Sequence, residues 1–407
     1  MIDKNALKNR LASRIKARTN LLDFTRFTMP EYRVNWHHEL ICKKLDEFID
    51  GQNKRLIIAC PPRHGKSELV SRRLPAYLLG KNPDCKIIAC SYSSDLSSLM
   101  NRDVQRIIDS PEYSELFPNT SLSASNVRTT AQENHLRNSD IFEIVGHKGV
   151  YRSAGVGGSI TGMGGDILLI DDPFRSRADA ESPTIRNKVY EWYTSTFRTR
   201  RQKGASILLT ATRWHEDDLT GRLLELAKND PSADQWEVIT LPALSEEEIA
   251  PYDKRTEPNR ALWVDEYPEK DLLSTKASST VYEWLSLYQQ RPSAAAGNLV
   301  KKENFKYCTL QNNILDLGDK KYLLNQCKIF QTCDPAASTK TSADYFVLAT
   351  WAQTPLNELA LIDLIRTRLE TPDQVPLFKQ QHIRWHPVFQ AVEKTGLGIS
   401  LYQTLLR

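Results

Sequence analysis

Cys60-Pro61-Pro62-Arg63-His64-Gly65-Lys66-Ser67 places a glycine, a lysine and a hydroxyl directly after the apolar run Leu56-Ile57-Ile58-Ala59. The run reads as a buried strand, and Ser67 to Leu79 read as the helix it feeds. Strand, loop and helix in this order make a phosphate cradle. Gly65 lets the backbone approach the ligand, and the helix N-terminus offers N–H groups without intrahelical partners. Lys66 supplies a point charge, and Ser67 supplies a hydroxyl for Mg²⁺. The usual G-x-x-x-x-G-K-[ST] pattern has a glycine where this chain has Cys60. A second apolar run, Ile167-Leu168-Leu169-Ile170, ends in Asp171-Asp172. Two carboxylates at a strand end can hold a metal and polarise a water. The chemistry implied by the two segments together is hydrolysis of a nucleoside triphosphate. A bare helix N-cap with an incidental lysine would leave the acidic pair without a reason.

The elements that must position these groups are legible in outline. From the N-terminus to about Gly51 the chain reads as amphipathic helix, with Ile41, Leu45, Phe48 and Ile49 on roughly one face and Leu40 at its edge. Strand signals recur at 55–59, 86–90, 141–145, 167–170, 206–210 and 236–240. Helical stretches at 94–108 and 184–199 lie between them. Strands alternating with helices predict an α/β sheet with parallel strands at its centre. The glycine-rich stretch 155–165 reads as a loop or hairpin before the Asp-Asp strand. Near Ala243 periodicity fades, and 243–300 reads as a small lid or linker subdomain.

A second unit follows. Strands at 329–334, 345–351 and 358–366, a helix at 371–383, a strand at 388–393 and a helix at 399–406 give the order β-β-β-α-β-α. This order matches the ribonuclease H-like nuclease fold, in which the acids ending the first and fourth strands lie side by side. Those acids are Asp334 and Glu393, with Asp344 a weaker third candidate. Adjacent carboxylates repel unless cations bridge them, and a pair of Mg²⁺ or Mn²⁺ ions there would cleave a phosphodiester.

Composition bounds these readings. A chain of 407 residues is too long for one ordinary core. A net charge of +4 gives no argument for nucleic-acid binding from the total, so basic clusters at 4–18, 198–203 and 301–302 carry that argument locally. Seven cysteines without a C-x-x-C spacing argue for buried thiols in a reducing compartment. No apolar run approaches membrane-spanning length, and the expectation is a cytosolic protein.

The chain resembles the large subunit of tailed-phage terminases. The resemblance rests on 61–67, on Gly162 to Pro173, on Thr210-Ala211-Thr212-Arg213-Trp214-His215, on Tyr288-Gln289-Gln290-Arg291-Pro292, on Asp334, and on Val392-Glu393-Lys394-Thr395-Gly396. It implies a P-loop ATPase followed by a ribonuclease H-like nuclease domain, divided as 1–50 N-terminal helices, 51–242 ATPase core, 243–300 lid and 301–407 nuclease. It implies ATP and Mg²⁺ in the first site and Mg²⁺ or Mn²⁺ in the second. Carried over by resemblance, Pro62, Arg63, His64, Gly65, Lys66 and Ser67 cradle the nucleotide phosphates, and Ser67 and Asp171 hold Mg²⁺. Asp172 stands where a catalytic glutamate is usual and orients the attacking water. Thr210 and Thr212 sense hydrolysis. Arg63 and Arg152 are alternative arginine fingers, and Trp36 or Tyr32 could stack on adenine. The implied partners are double-stranded DNA, a small terminase subunit and a portal protein, with a homo-oligomeric ring working in the host cytoplasm and absent from the mature virion. The nuclease fold also needs a fifth strand and a third acid. The sequence ends at Arg407 before them, so the expectation is an active ATPase with an impaired nuclease. An inert prophage remnant and a helicase-nuclease of another system are the competing readings.

Overall fold

The computed structural model describes residues 4–124, 135–292, 305–335, 345–393, 401 and 403–405, with side chains for all of these except 4–7 and 371. The chain divides into two compact units, Met1–Asn298 and Leu299–Arg407.

Seven strands build the first unit: β1 Arg55–Ala59, β2 Lys86–Ser91, β3 Ile141–Glu143, β4 Val150–Gly155, β5 Gly165–Asp171, β6 Arg201–Ala211 and β7 Glu237–Thr240. Their order is β3-β4-β2-β5-β6-β1-β7, and every neighbouring pair is parallel except β3 with β4. Parallel strands covered on both faces read as continuous apolar runs, as 56–59 and 167–170 do. The two faces feed separate cores. Leu56, Ile58, Leu169 and Leu208 pack with the N-terminal helices and with Leu74–Lys81, whereas Ile57, Leu168, Ile170 and Leu209 pack with Val189, Trp192, Phe197 and Leu223. A smaller cluster of Ala243, Leu244, Ala261, Leu272 and Trp284 centres the 243–292 segment.

Three differences from the sequence reading have physical causes. β4 was not anticipated, because Val150-Tyr151-Arg152-Ser153-Ala154-Gly155 lacks the apolar run of its neighbours; it alternates partly exposed with buried residues near the sheet edge. β6 begins five residues earlier than expected, carrying the basic stretch from Arg201 into the sheet. The helix Lys4–Thr19 is not amphipathic in its packing: Leu11 and Ile15 are 54% and 58% exposed, and Ala17 is the buried residue among 8–19. Polar contacts hold this helix instead, from Arg10 to Glu115 and from Arg18 Nε to the Leu116 carbonyl at 2.6 Å.

The second unit opens with an antiparallel meander of short strands, β8 Thr309–Gln311, β9 Ile314–Asp316 and β10 Lys321–Leu323, which the sequence reading passed over. Its main sheet contains β11 Lys328–Asp334, β12 Phe346–Gln353, β13 Leu359–Thr367 and β14 Gln390–Val392, ordered β13-β12-β11-β14. β11, β12 and β13 are antiparallel, and β14 joins β11 in parallel after the helix Thr371–Trp385. The expected final helix, the basic pair Lys301-Lys302, the weaker candidate Asp344 and the segment 394–396 fall wholly or mostly outside the described residues.

Candidate active site

Parallel pairing brings three strand ends together. β6 lies between β5 and β1, with Asp171 opposite Thr210 and Ala59 opposite Ala211. The loop after β1, the acids ending β5 and the Thr210–Thr212 segment therefore meet at one edge of the sheet. They enclose a cleft of about 360 Å³ lined by Pro61, Pro62, Arg63, Gly65, Lys66, Ser67, Glu68, Asp172 and Thr212.

Lys66 is at the centre. Its side chain is 5% exposed, and Nζ donates to both Asp172 oxygens at 2.7 Å and to Thr212 Oγ1 at 3.2 Å. Asp171 Oδ1 lies 4.0 Å away. Burial works to lower the pKa of Lys66, but Asp172 and then Asp171 outweigh it, and the net shift is upward. The ammonium is thus held charged inside the protein. Asp172 also accepts the Thr212 N–H at 2.6 Å, so the clasp ties the strand end to the segment after β6.

Backbone geometry is unusual on both sides of the cleft. Arg63 (φ 62°) and Asp172 (φ 48°) are non-glycine residues in the left-handed region, and Gly65 has φ 83°. A Cβ at Gly65 would lie 2.5 Å from His38 Nε2, so only glycine fits there. Non-glycine residues held in that region tend to mark functional sites.

Several expected groups sit differently. Asp171 does not line the cleft. It is 3% exposed, and its oxygens accept the hydroxyl protons of Ser71 and Thr210, each at 2.6 Å. The hydroxyl aimed at Asp171 from the cradle helix is therefore that of Ser71. Ser67 makes no capping bond to its own helix and faces the cleft with its hydroxyl uncommitted. Thr210 is fully buried behind the cleft, and its hydroxyl is spent on Asp171; Thr212 is the threonine that reaches Lys66. Ser71 was missed. Its signal was position: one helical turn after Ser67, it presents the same helix face to the acidic strand.

His64 belongs to the loop but not to the cleft lining. Its ring is 1% exposed, donates from Nδ1 to the Pro62 carbonyl at 2.9 Å, and stacks on Tyr267 with centroids 4.6 Å apart. His37 and His38 place Nε2 at 3.2 Å from the His64 carbonyl. Asn35 donates to both Nδ1 atoms, from its side chain to His37 at 2.9 Å and from its backbone to His38 at 3.0 Å, which puts the ring protons on Nε2. Three neutral imidazoles therefore fix the loop from behind. Burial is the leading cause holding their pKa values down, to about 2 for His37 and about 4 for His38 and His64. Cys60 is fully buried, and burial pushes its thiol up to about 12.

The structure brings Arg63 to the cleft rim, exposed, and not Arg152. Arg152 lies on β4, with β2 between it and β5, and its Nη2 donates to the Ser159 carbonyl at 2.9 Å. Tyr32 and Trp36 do not line the cleft: Tyr32 packs on His38, and Trp36 packs into the core beneath the Arg255 guanidinium. His215-Glu216-Asp217-Asp218 leads into a helix, with Asp218 accepting the Gly221 N–H at 2.8 Å. Among the described residues, no group of three His, Cys, Asp or Glu side chains is arranged to hold a metal ion.

The 243–292 segment is wired to the cleft. Gln290 Oε1 accepts the N–H of Arg213, the residue after Thr212, at 3.3 Å. Gln289 exchanges bonds with the Leu244 N–H and carbonyl at 3.1 and 2.9 Å. A change at Thr212 is thus one residue from a side chain of the 243–292 segment.

In the second unit, Cys333 pairs with Val392, and the Glu393 N–H donates to the Cys333 carbonyl at 2.9 Å. Asp334 and Glu393 are the next residues along the two chains after that pair. Both are exposed, and neither carboxylate has a hydrogen-bond or salt-bridge partner among the described residues.

A family model described as terminase large subunit, T4likevirus-type, N-terminal, matches residues 57–271. No curated protein matches the chain. Among solved structures, a point mutant of the large terminase ATPase domain of Thermus phage P74-26 is similar, with 13% identity and a TM-score of 0.42 over 66% of this chain and 98% of that one. The wild-type ATPase domain from the same phage gives 14% identity and 0.37 over 59% and 89%. The large terminase of a thermophilic bacteriophage, in complex with ADP, gives 9% identity and 0.34 over 89% and 79%. The matched family segment covers more than half of the chain and contains the loop, both aspartates and the Thr210–Thr212 segment, and the chain belongs to the terminase large subunits of the T4-like type.

Proposed function

We propose that this chain is the motor subunit that moves double-stranded viral DNA into a procapsid by hydrolysing ATP in the Lys66–Asp172 cleft. The observation that carries the reading is the clasp itself: a buried lysine, an acid and a threonine from three separate strand ends, facing a glycine that tolerates no side chain.

The residues fit a nucleotide and Mg²⁺. The cleft has room for a phosphate chain, the Ser67 hydroxyl is uncommitted, and the Asp171 carboxylate behind it, reached through water, is the hard donor that Mg²⁺ takes. Bound there, the ion would screen phosphate charge. Everything else falls to the protein. Lys66 exchanges Asp172 for phosphate oxygen. The released Asp172 carboxylate turns to a water and orients it for in-line attack, while Arg63 reaches over from the rim. Ser71 and Thr210 keep Asp171 from rotating. After hydrolysis Lys66 returns to Asp172 and Thr212, and the Arg213–Gln290 bond passes that movement to the lid. Movement of the lid against DNA, in a ring of copies seated on a portal and supplied by a small subunit, completes the motor.

The second unit is proposed as a ribonuclease H-like endonuclease that cuts the DNA. Its support is the β11–β14 register that puts Asp334 and Glu393 at the ends of neighbouring strands, where divalent cations would activate water and stabilise the leaving oxygen. The test of the main reading is ATP turnover by purified protein with and without duplex DNA. Turnover stimulated by DNA and abolished in Lys66→Ala is expected; no turnover with DNA and a packaging partner present would overturn it.

A further inference from the structure

At the N-terminal ends of β1 and β6, the opposite edge of the sheet from the cleft, the chain forms a basic recess. It has a volume of about 470 Å³ and is lined by Lys54, Arg55, Arg198, Thr199, Arg201, Gln202, Lys203, Gly204 and Ala205. Five cations line it. The carboxylate that serves them is Asp234, which is shared by Arg55 at 2.9 Å, Arg198 at 3.0 Å and Arg201 at 3.3 Å. The neighbouring acid Glu237 is already engaged by Lys44 at 2.7 Å. Lys54 and Lys203 are exposed and have no side-chain partner among the described residues. Arg201 is held below its ordinary pKa, by partial burial first and by the crowding of Arg198 next. Like charges gathered this closely disfavour the fold unless an anion joins them.

We propose that this recess binds the phosphate backbone of duplex DNA. Guanidiniums and ammoniums match phosphate oxygens, and Gly204, with φ 85° and no side chain, leaves the rim open to close approach. The lining argues against other partners. It holds no apolar side chain larger than alanine, whereas the core of a protein interface is apolar. It holds no aromatic ring, whereas single strands are gripped by stacking. Cations without stacking or a base-reading element describe contact to a double-stranded backbone independent of sequence. β6 runs from Arg201 in the recess, past an irregularity in its pairing with β5 before Ser206, to Ala211, next to Thr212 in the cleft, so one strand joins the DNA contact to the ATP clasp. The choice of DNA as ligand rests on the packaging reading above; the recess and its charge do not.

The test is fluorescence anisotropy of a labelled duplex of random sequence with the full chain, titrated in NaCl, for wild type, Lys54→Gln/Lys203→Gln and Lys54→Arg/Lys203→Arg. Neither lysine lies in the cleft, so ATP turnover without DNA is expected to be unchanged. The glutamine pair is expected to bind duplex at least about 10-fold more weakly at 0.1 M salt, with the slope of log K against log salt shallower by about two, and the arginine pair to bind like wild type. Equal affinity and equal slope for wild type and the glutamine pair overturn the recess while leaving the ATPase reading standing. Absence of turnover in wild type, with weakened duplex binding in the glutamine pair, overturns the ATPase reading and supports the recess. Loss of binding to a polyglutamate peptide with unchanged duplex binding assigns the recess to a protein partner and overturns the proposal.

Discussion

Asp171-Asp172 and Asp334/Glu393 each end strands at one edge of a sheet, yet their surroundings differ at every oxygen. In the first pair, Asp171 accepts from two hydroxyls, and Asp172 accepts from Lys66 and a backbone N–H. In the second pair, both carboxylates are exposed and without partners among the described residues. The first pair is therefore held in place by the protein's own hydrogen bonds, as the proposed exchange of partners requires. The second is set by backbone register alone. Dipoles fixed in advance need no reorganisation during reaction. The contrast explains why the first site can be read through its side-chain network and the second only through its topology.

The largest effect expected from this contrast is on turnover. Lys66→Ala removes the cation that holds Asp172 and that is proposed to meet phosphate, and ATP hydrolysis should fall by about 10³-fold or more. A fall of only a few-fold would mean the clasp is not the catalytic centre. The next effect is on stability. Asp171→Ala leaves the buried hydroxyls of Ser71 and Thr210 without their acceptor and should cost about 2–4 kcal/mol in urea unfolding. Asp334→Ala should stay within about 0.5 kcal/mol of wild type. Equal losses at the two positions would break the comparison.

Gly65→Ala should come third, at about 1–3 kcal/mol, because the new Cβ needs a left-handed backbone and the space held by His38. Its nucleotide affinity should fall with it, measured by binding of a fluorescent ATP analogue. The smallest effect is on pH. His38 and His64 are neutral in the folded cradle with pKa values near 4, against an ordinary value of 6.5, chiefly through burial. Between those values the unfolded chain binds more protons than the folded one. Their contribution is full above pH 6.5 and is lost as pH falls toward 4. Melting temperature should drop across that window, and His64→Gln should flatten the drop. A melting temperature that rises on acidification would contradict the neutral imidazoles.

Much of this was legible in the sequence, and the reasons are specific. Apolar runs at 56–59 and 167–170 mark buried parallel strands, and a residue ending such a run must emerge at the sheet edge, so Lys66 and Asp172 could be brought together on paper. The β-β-β-α-β order likewise put Asp334 and Glu393 at the ends of neighbouring strands. What stayed hidden depended on third parties. β4 carries Arg152 and no apolar run, so neither the strand nor the arginine's distance from the cleft could be read. Ser71 becomes a partner only once β5 lies against its helix. His64 looked like a phosphate ligand because it adjoins Gly65, but its ring is claimed by Tyr267, which lies far along the chain.

The most direct test of the central claim is a paired measurement on Asp172→Asn: ATP binding by fluorescence and single-turnover hydrolysis under the same conditions. Asparagine keeps the shape and still accepts from Lys66 but cannot hold a charge for the attacking water. ATP binding at or near the wild-type affinity is expected, with hydrolysis reduced by about 10²-fold or more. Hydrolysis at the wild-type rate would contradict the central claim.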